Sequence, residues 1–261
     1  MRSAGPLAAM LTAVLAGAGC DPHVNLGTIG DGSASLIWKA TFEPGDFSEW
    51  SGDGQGGTYR EDDNVPAAVV SAPVHRGSKA GVFAVTPTAS MVSISYAFRN
   101  QPAAPSAYYS AWFYVPSTIV VGSYLSLVHF RGSLTGDGRN PYAIWDVNLT
   151  PLADGTVAAQ LFDYVKGIDT PQPTMVRFPP DRWVQLEVLF VKATDATGHV
   201  AIWQDGTLIL DHPNVTTVAN DWVQWEVGGA SSDLSTTALP ALVYVDDAAI
   251  SLVRLGPDGP F

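Results

Sequence analysis

From residue 36 onward the apolar positions recur with a period of two rather than 3.6, in short runs rich in Val, Ile, Thr, Tyr, Phe and Trp. The runs are 36–42, 67–71, 81–85, 93–98, 107–115, 124–131, 142–149, 156–164, 183–191, 198–203, 207–210 and 242–254. Glycine, proline and Asn/Asp turns divide them, the pattern of an all-β chain. In 183–190, Val184, Leu186, Val188 and Phe190 form a wholly apolar face and are expected in the core. Trp183, Gln185, Glu187 and Leu189 alternate with them and are positioned to line a groove. Asp205-Gly206 lies between two apolar runs and predicts a tight hairpin turn. About twelve short strands without an internal repeat or linker predict one jelly-roll β-sandwich of two antiparallel sheets over 36–261.

Composition narrows the function classes. The chain is 46% hydrophobic with Trp at 8 positions, enough apolar surface to offset chain entropy, so disorder is excluded as the main state. A formal charge of −12 offers no basic footprint for nucleic acid. The lone Cys20 excludes an internal disulfide framework.

That cysteine closes the one segment that breaks the β pattern. Arg2 precedes an apolar stretch of small residues, 6–19, too short for a permanent membrane span and suited to an export signal. Gly17-Ala18-Gly19-Cys20 resembles a bacterial lipobox, departing from it at Gly17, where an aliphatic residue is usual. The resemblance implies a signal at 1–19, lipidation of Cys20, and a tether at 20–35 holding the protein at the bacterial cell envelope. With an ordinary secretory signal the protein is instead secreted without an anchor. Either way a membrane enters only through the lipid.

A set of motifs spread over residues 38 to 254 resembles the concanavalin A-like jelly rolls, nearest to heparin-lyase-like polysaccharide lyases and related carbohydrate-binding modules. Thr41-Phe42-Glu43-Pro44-Gly45-Asp46-Phe47-Ser48-Glu49-Trp50 is similar to their opening motif, and His75-Arg76-Gly77-Ser78-Lys79-Ala80 to a following strand entry. Residues 107–116, 183–186 with 200–206, and 243–250 resemble the central strand, the hairpin and the closing strand. The order is that of the superfamily; it speaks for the fold rather than for a reaction. The resemblance implies a glycan partner, a monomeric domain, and a structural calcium held by Glu43 and by Asp246 or Asp247. Calcium takes six to eight hard oxygen ligands, and adjacent strand residues point to opposite faces, so Asp246, on the side of Ala248 and Ile250, is the better ligand. The alternative is that both aspartates guard a sheet edge.

Three function classes stay open. The glutamates, Glu43, Glu49, Glu61, Glu187 and Glu226, are scattered, so the paired carboxylates of a retaining glucanase are missing. A uronate lyase instead needs a group to neutralise the uronate carboxylate and a His or Tyr to move protons. His129 lies where similar lyases carry a histidine strand, although Leu127 replaces their amide. Tyr164 and Lys166 are expected on one strand face, and Arg99 and Arg131 complete a cationic catalytic set. A non-catalytic carbohydrate-binding module needs aromatic platforms and amides. Asp146, Asn148, Gln185, Trp222 and Trp225 are its candidates, with Asp146 and Asn148 on one strand face. An adhesive envelope protein is the third class. Recognition of a polysaccharide through a concave sheet is the leading expectation, with β-elimination as the alternative.

Overall fold

The structure, a computed structural model, describes residues 35–60, 66–86, 92–100, 104–236 and 240–259. The export signal, Cys20 and the tether up to residue 34 lie outside the described residues.

The elements run in order β1 (Leu36–Ala40), α1 (Ser48–Ser51), β2 (Gly56–Arg60), β3 (Ala68–Val70), β4 (Ala80–Val85), β5 (Ser93–Asn100) and β6 (Ser106–Tyr114). Then follow β7 (Ile119–Val121), β8 (Leu125–Gly132), β9 (Tyr142–Pro151), β10 (Val157–Asp163), β11 (Ile168–Thr170) and β12 (Arg177–Phe178). The chain continues through β13 (Trp183–Val191), β14 (Gly198–Gln204), β15 (Thr207–Val215), β16 (Val223–Ser231), β17 (Leu234–Thr236) and β18 (Ala241–Ser251).

These strands form two antiparallel sheets. Sheet I has the order β15-β14-β13-β6-β18-β4-β3, with β1 also on β18. Sheet II has the order β11-β10-β9-β8-β16-β5-β2, with β12 on β10, and β7 pairs with β17 apart from both. One apolar cluster fills the space between the sheets. Tyr109, Phe113, Val184, Leu186, Val188 and Phe190 come from sheet I, and Leu125, Phe130, Trp145, Val147 and Trp225 from sheet II. Phe130 and Phe190 stack at 4.4 Å across the interface. The apolar face expected for β13 is therefore the core face.

Its other face is not a groove. The C-terminal segment lies along it: Gln185 Nε2 donates to the Gly256 carbonyl at 2.7 Å, and Leu255 N–H donates to Glu187 Oε1 at 2.6 Å. Arg254 sits on Trp203, 4.4 Å from the ring centroid, and pairs with Glu187 at 3.2 Å. Burial pushes the Glu187 carboxyl up in pKa, and these donors hold it down.

Strand β16 was not expected, and it lies near the centre of sheet II between β8 and β5. Gly228 and Gly229 sit inside the strand at a bulge. A side chain on Gly228, whose φ is +147°, meets the Ser95 carbonyl, and one on Gly229 meets Val85 Cγ2 at 2.5 Å. The glycines let β16 pass close under β5 and sheet I.

Candidate functional site

The outer face of sheet II gathers the ionisable groups that the core excludes. Alternation puts Gln224 and Glu226 of β16 on this face, opposite the buried Trp225. Register then builds a row across five strands: Phe98 of β5 pairs with Glu226, Glu226 with His129 of β8, and His129 with Asp146 of β9. Phe162 of β10 pairs with Asp146 and closes the row. Arg131 stands two residues from His129 on the same side of β8, its Nε 3.0 Å from Glu226 Oε1 and 3.1 Å from Oε2.

His129 is the centre of this row. Its Nδ1 lies 2.8 Å from Asp146 Oδ1, a charge contact that favours the proton on Nδ1. That contact is not aligned as a hydrogen bond, and both ring nitrogens and both Asp146 oxygens are buried without a hydrogen-bond partner among the described residues. Tyr96 packs on the imidazole with ring centroids 4.6 Å apart, and Tyr164 lies over it at 6.4 Å. Tyr59 covers Arg131 with its ring centroid 5.3 Å from the guanidinium. Glu226 and Asp146 are each 1% exposed, and burial raises the pKa of both carboxyls against the pull of Arg131 and His129.

Beside the row the face opens into a hollow of about 390 Å³, lined by Tyr124, Asn148, Thr150, Gln160, Phe162 and Tyr164. Asn148 Oδ1 is buried without a partner among the described residues, and Asn148 stands two residues from Asp146 along β9. Tyr164, 42% exposed, is the side chain shared by the hollow and the imidazole. A polar ligand in this hollow thus meets the phenols of Tyr124 and Tyr164, the amides of Asn148 and Gln160, the Phe162 ring and the Asp169 carboxylate.

The structure brings together His129, Arg131, Asp146, Asn148 and Tyr164. It separates the other expected residues from them. Arg99 has the opposite parity to Phe98: it lies over Trp38, donates to the Trp50 carbonyl at 3.1 Å and forks onto Asp53, tying α1 to β5. Lys166 is in the turn after β10 rather than on the strand, and it turns from Tyr164 toward Asp163, 3.0 Å away, over the far side at Trp145. Gln185 is enclosed on sheet I beneath the C-terminal segment. Trp225 is a core ring packed on Trp38, Trp50 and Tyr109. Trp222 is half-buried at the end of β16, with the parity of Gln224 and Glu226, and its indole packs against Gly138.

The residues expected to hold calcium lie at one end of the chain's first and last strands, where N–H groups face them. Glu43 Oε1 accepts from Ser78 N at 2.8 Å and Lys79 N at 2.9 Å, and Oε2 accepts from Ser78 Oγ at 2.9 Å. Asp246 accepts from the backbone of His75 at 2.9 Å, Arg76 at 3.3 Å and Asp247 at 2.8 Å. A cation requires oxygen atoms where these N–H donors stand, so the donor set does not fit the ion. Among the described residues there is no group of three or more His, Cys, Asp or Glu placed to hold a metal. A bulge after Asp246 and φ of +46° at Asp247 break the alternation that the sequence implied. Both aspartates therefore reach the same loop, with Asp247 Oδ2 2.6 Å from His75 Nδ1. Burial and the neighbouring Asp247 push the Asp246 carboxyl up to about 7.

Sequence reasoning passed over Glu226, Tyr96 and Tyr59 as site residues. The Gln224–Glu226 alternation was present, but the glycine pair after it hid the strand. Tyr96 fell inside an expected strand whose two faces are not distinguished by composition.

No family model matches the chain, and no curated protein matches it by sequence. Solved structures share its fold. An endo-β-1,4-glucuronan lyase from the fungus Trichoderma reesei superposes with a TM-score of 0.63 at 15% identity, covering 85% of this chain and 98% of that one. An alginate lyase from Aplysia kurodai gives 0.57 at 11% identity, covering 84% and 100%. Domain 4 of an arabinanase from Geobacillus stearothermophilus, in complex with arabinotriose, gives 0.50 at 15% identity, covering 86% and 96%. The fold is that of a jelly-roll sandwich shared with polysaccharide lyases.

Proposed function

We propose that the outer face of sheet II binds a uronate-containing polysaccharide and cleaves it by β-elimination. The observation that carries this reading is the placement of His129, Tyr164 and Arg131 on one face, with Tyr164 shared between the imidazole and the hollow. The lyases that share the fold lend it support.

Elimination removes the proton α to the uronate carboxylate, forms a C4–C5 double bond and expels the C4 oxygen, which takes up a proton. His129 Nε2 accepts the α proton, Asp146 stabilising the imidazolium that forms. The Tyr164 hydroxyl donates to the leaving oxygen. Arg131 disperses charge on the uronate carboxylate as it gains enolate character.

A second reading is recognition without cleavage. Its supporting observation is that Arg131 is already engaged by Glu226. The two part in one experiment: incubate the purified protein with alginate, glucuronan and heparinoids and follow absorbance of the unsaturated product. Rising absorbance with one polymer supports the lyase; binding with a flat trace across all of them leaves recognition alone.

We further propose that the protein works at the bacterial cell envelope, anchored through Cys20. Cys20→Ser is expected to move it from the membrane fraction to the soluble one, and membrane retention of that variant contradicts the anchor.

A further inference from the structure

The buried row on sheet II has a charge count that the proposed reaction does not use. Glu226 and Asp146 supply two carboxylates, and Arg131 supplies one permanent cation. With His129 neutral, as a base must be, and both carboxyls ionised, the row carries one net negative charge. Around Glu226 stand Tyr96 and Phe98 from β5, His129 and Arg131 from β8 and Asp146 from β9, with Tyr59 of β2 over Arg131 and Tyr164 over His129. Among the described residues no second guanidinium or ammonium faces it: Arg99 and Lys166 point to other partners.

A uronate carboxylate that enters this face competes with Glu226 for the same guanidinium. Two carboxylates cannot share Arg131 in a buried site without one becoming neutral. Resting on the lyase reading, we propose that Glu226 is a proton-coupled specificity residue: a uronate carboxylate binds Arg131 only as Glu226 takes up one proton. Binding one anion together with one proton keeps the row's charge constant, whereas a neutral sugar gains nothing from the exchange. Atoms balance simply, since the proton comes from solvent and resides on a Glu226 oxygen while the ligand occupies Arg131. Burial already raises the pKa of Glu226 toward that state.

The linkage has a definite sign. Acid favours the protonated Glu226 and hence the anionic ligand, so affinity falls as pH rises, by about tenfold per pH unit when one proton is taken up. The test is calorimetric titration of the Tyr164→Phe protein, which stops turnover, with saturated glucuronan and alginate tetrasaccharides from about pH 5 to 8. Repeating it in buffers of different ionisation enthalpy counts the protons. Expected are uptake of close to one proton and, with Glu226→Gln added, loss of the pH slope with at least about tenfold tighter binding at pH 8. Uptake of no proton, with Glu226→Gln weaker at every pH, overturns the coupling and leaves Glu226 as a support for Arg131. Should Glu226→Gln not fold, judged by its circular dichroism, the proton count of the parent decides alone. Absence of binding by either tetrasaccharide at any pH overturns the uronate reading itself.

Discussion

At the scale of single residues, the account depends on which groups burial leaves without partners. His129 Nε2 is such a group, and replacing Asp146 by Asn removes the charge that favours the proton on the other ring nitrogen. Asp146→Asn is expected to lower kcat by about 10²–10⁴ with KM little changed, as steady-state kinetics will show; an equal rise in KM contradicts an orienting role. Asp246 makes a separate prediction. Its folded pKa of about 7 lies above that of an unfolded aspartate, so the native state holds the extra proton. Stability from this group is present at low pH and declines as pH rises from about 4 toward 8. Urea unfolding across that range should show the decline in the wild type and a smaller one in Asp246→Asn. The shared face of His129 and Arg131 on β8 and of Asp146 and Asn148 on β9 was legible in the sequence as strand parity, whereas Tyr164 lies in the turn after β10. Gln185 was misplaced because parity says which face a side chain takes, but not what later packs on that face; Trp225 was misplaced because β16, whose alternation sends it to the core, was not expected.

At the scale of elements, β16 decides the site, since it carries Glu226 and Gln224 between β5 and β8. Its glycine pair exists for close approach. Gly228→Ala forces a side chain against the Ser95 carbonyl at positive φ, and a loss of about 2–4 kcal/mol is expected in denaturant melts. A loss below about 0.5 kcal/mol contradicts the tight crossing. The apolar runs of the other large strands marked themselves by alternation, but β16 combines core, polar face and glycine bulge in nine residues. The short edge strands β2, β7, β11, β12 and β17 lack the length for a period to register. The C-terminal segment escaped notice because its hydrogen bonds to Gln185 and Glu187 are between backbone and side chain, which leaves no pattern in the sequence. Arg254→Ala removes the ion pair that Glu187 holds in a buried place, and a destabilisation of about 3–5 kcal/mol is expected.

At the scale of the whole molecule, the two sheets divide the labour. Sheet I is sealed by the C-terminal segment and by the loop around His75, while sheet II keeps an open hollow next to a buried charged row. The two ends of the chain are joined through N–H donors on Glu43 and Asp246, and EDTA is accordingly expected to leave the melting temperature unchanged. A drop of several degrees on chelation contradicts this arrangement. The jelly-roll architecture was legible because the motif order spans the whole domain. The chemistry was less so, since it depends on register, which sets Glu226, His129 and Asp146 side by side from three distant stretches of chain. The most direct test of the central claim compares the wild type with His129→Ala on the uronate polymer that yields the most unsaturated product. The account predicts product from the wild type and a fall of at least about 10²-fold in His129→Ala, with polymer binding retained. Equal rates from the two proteins contradict it.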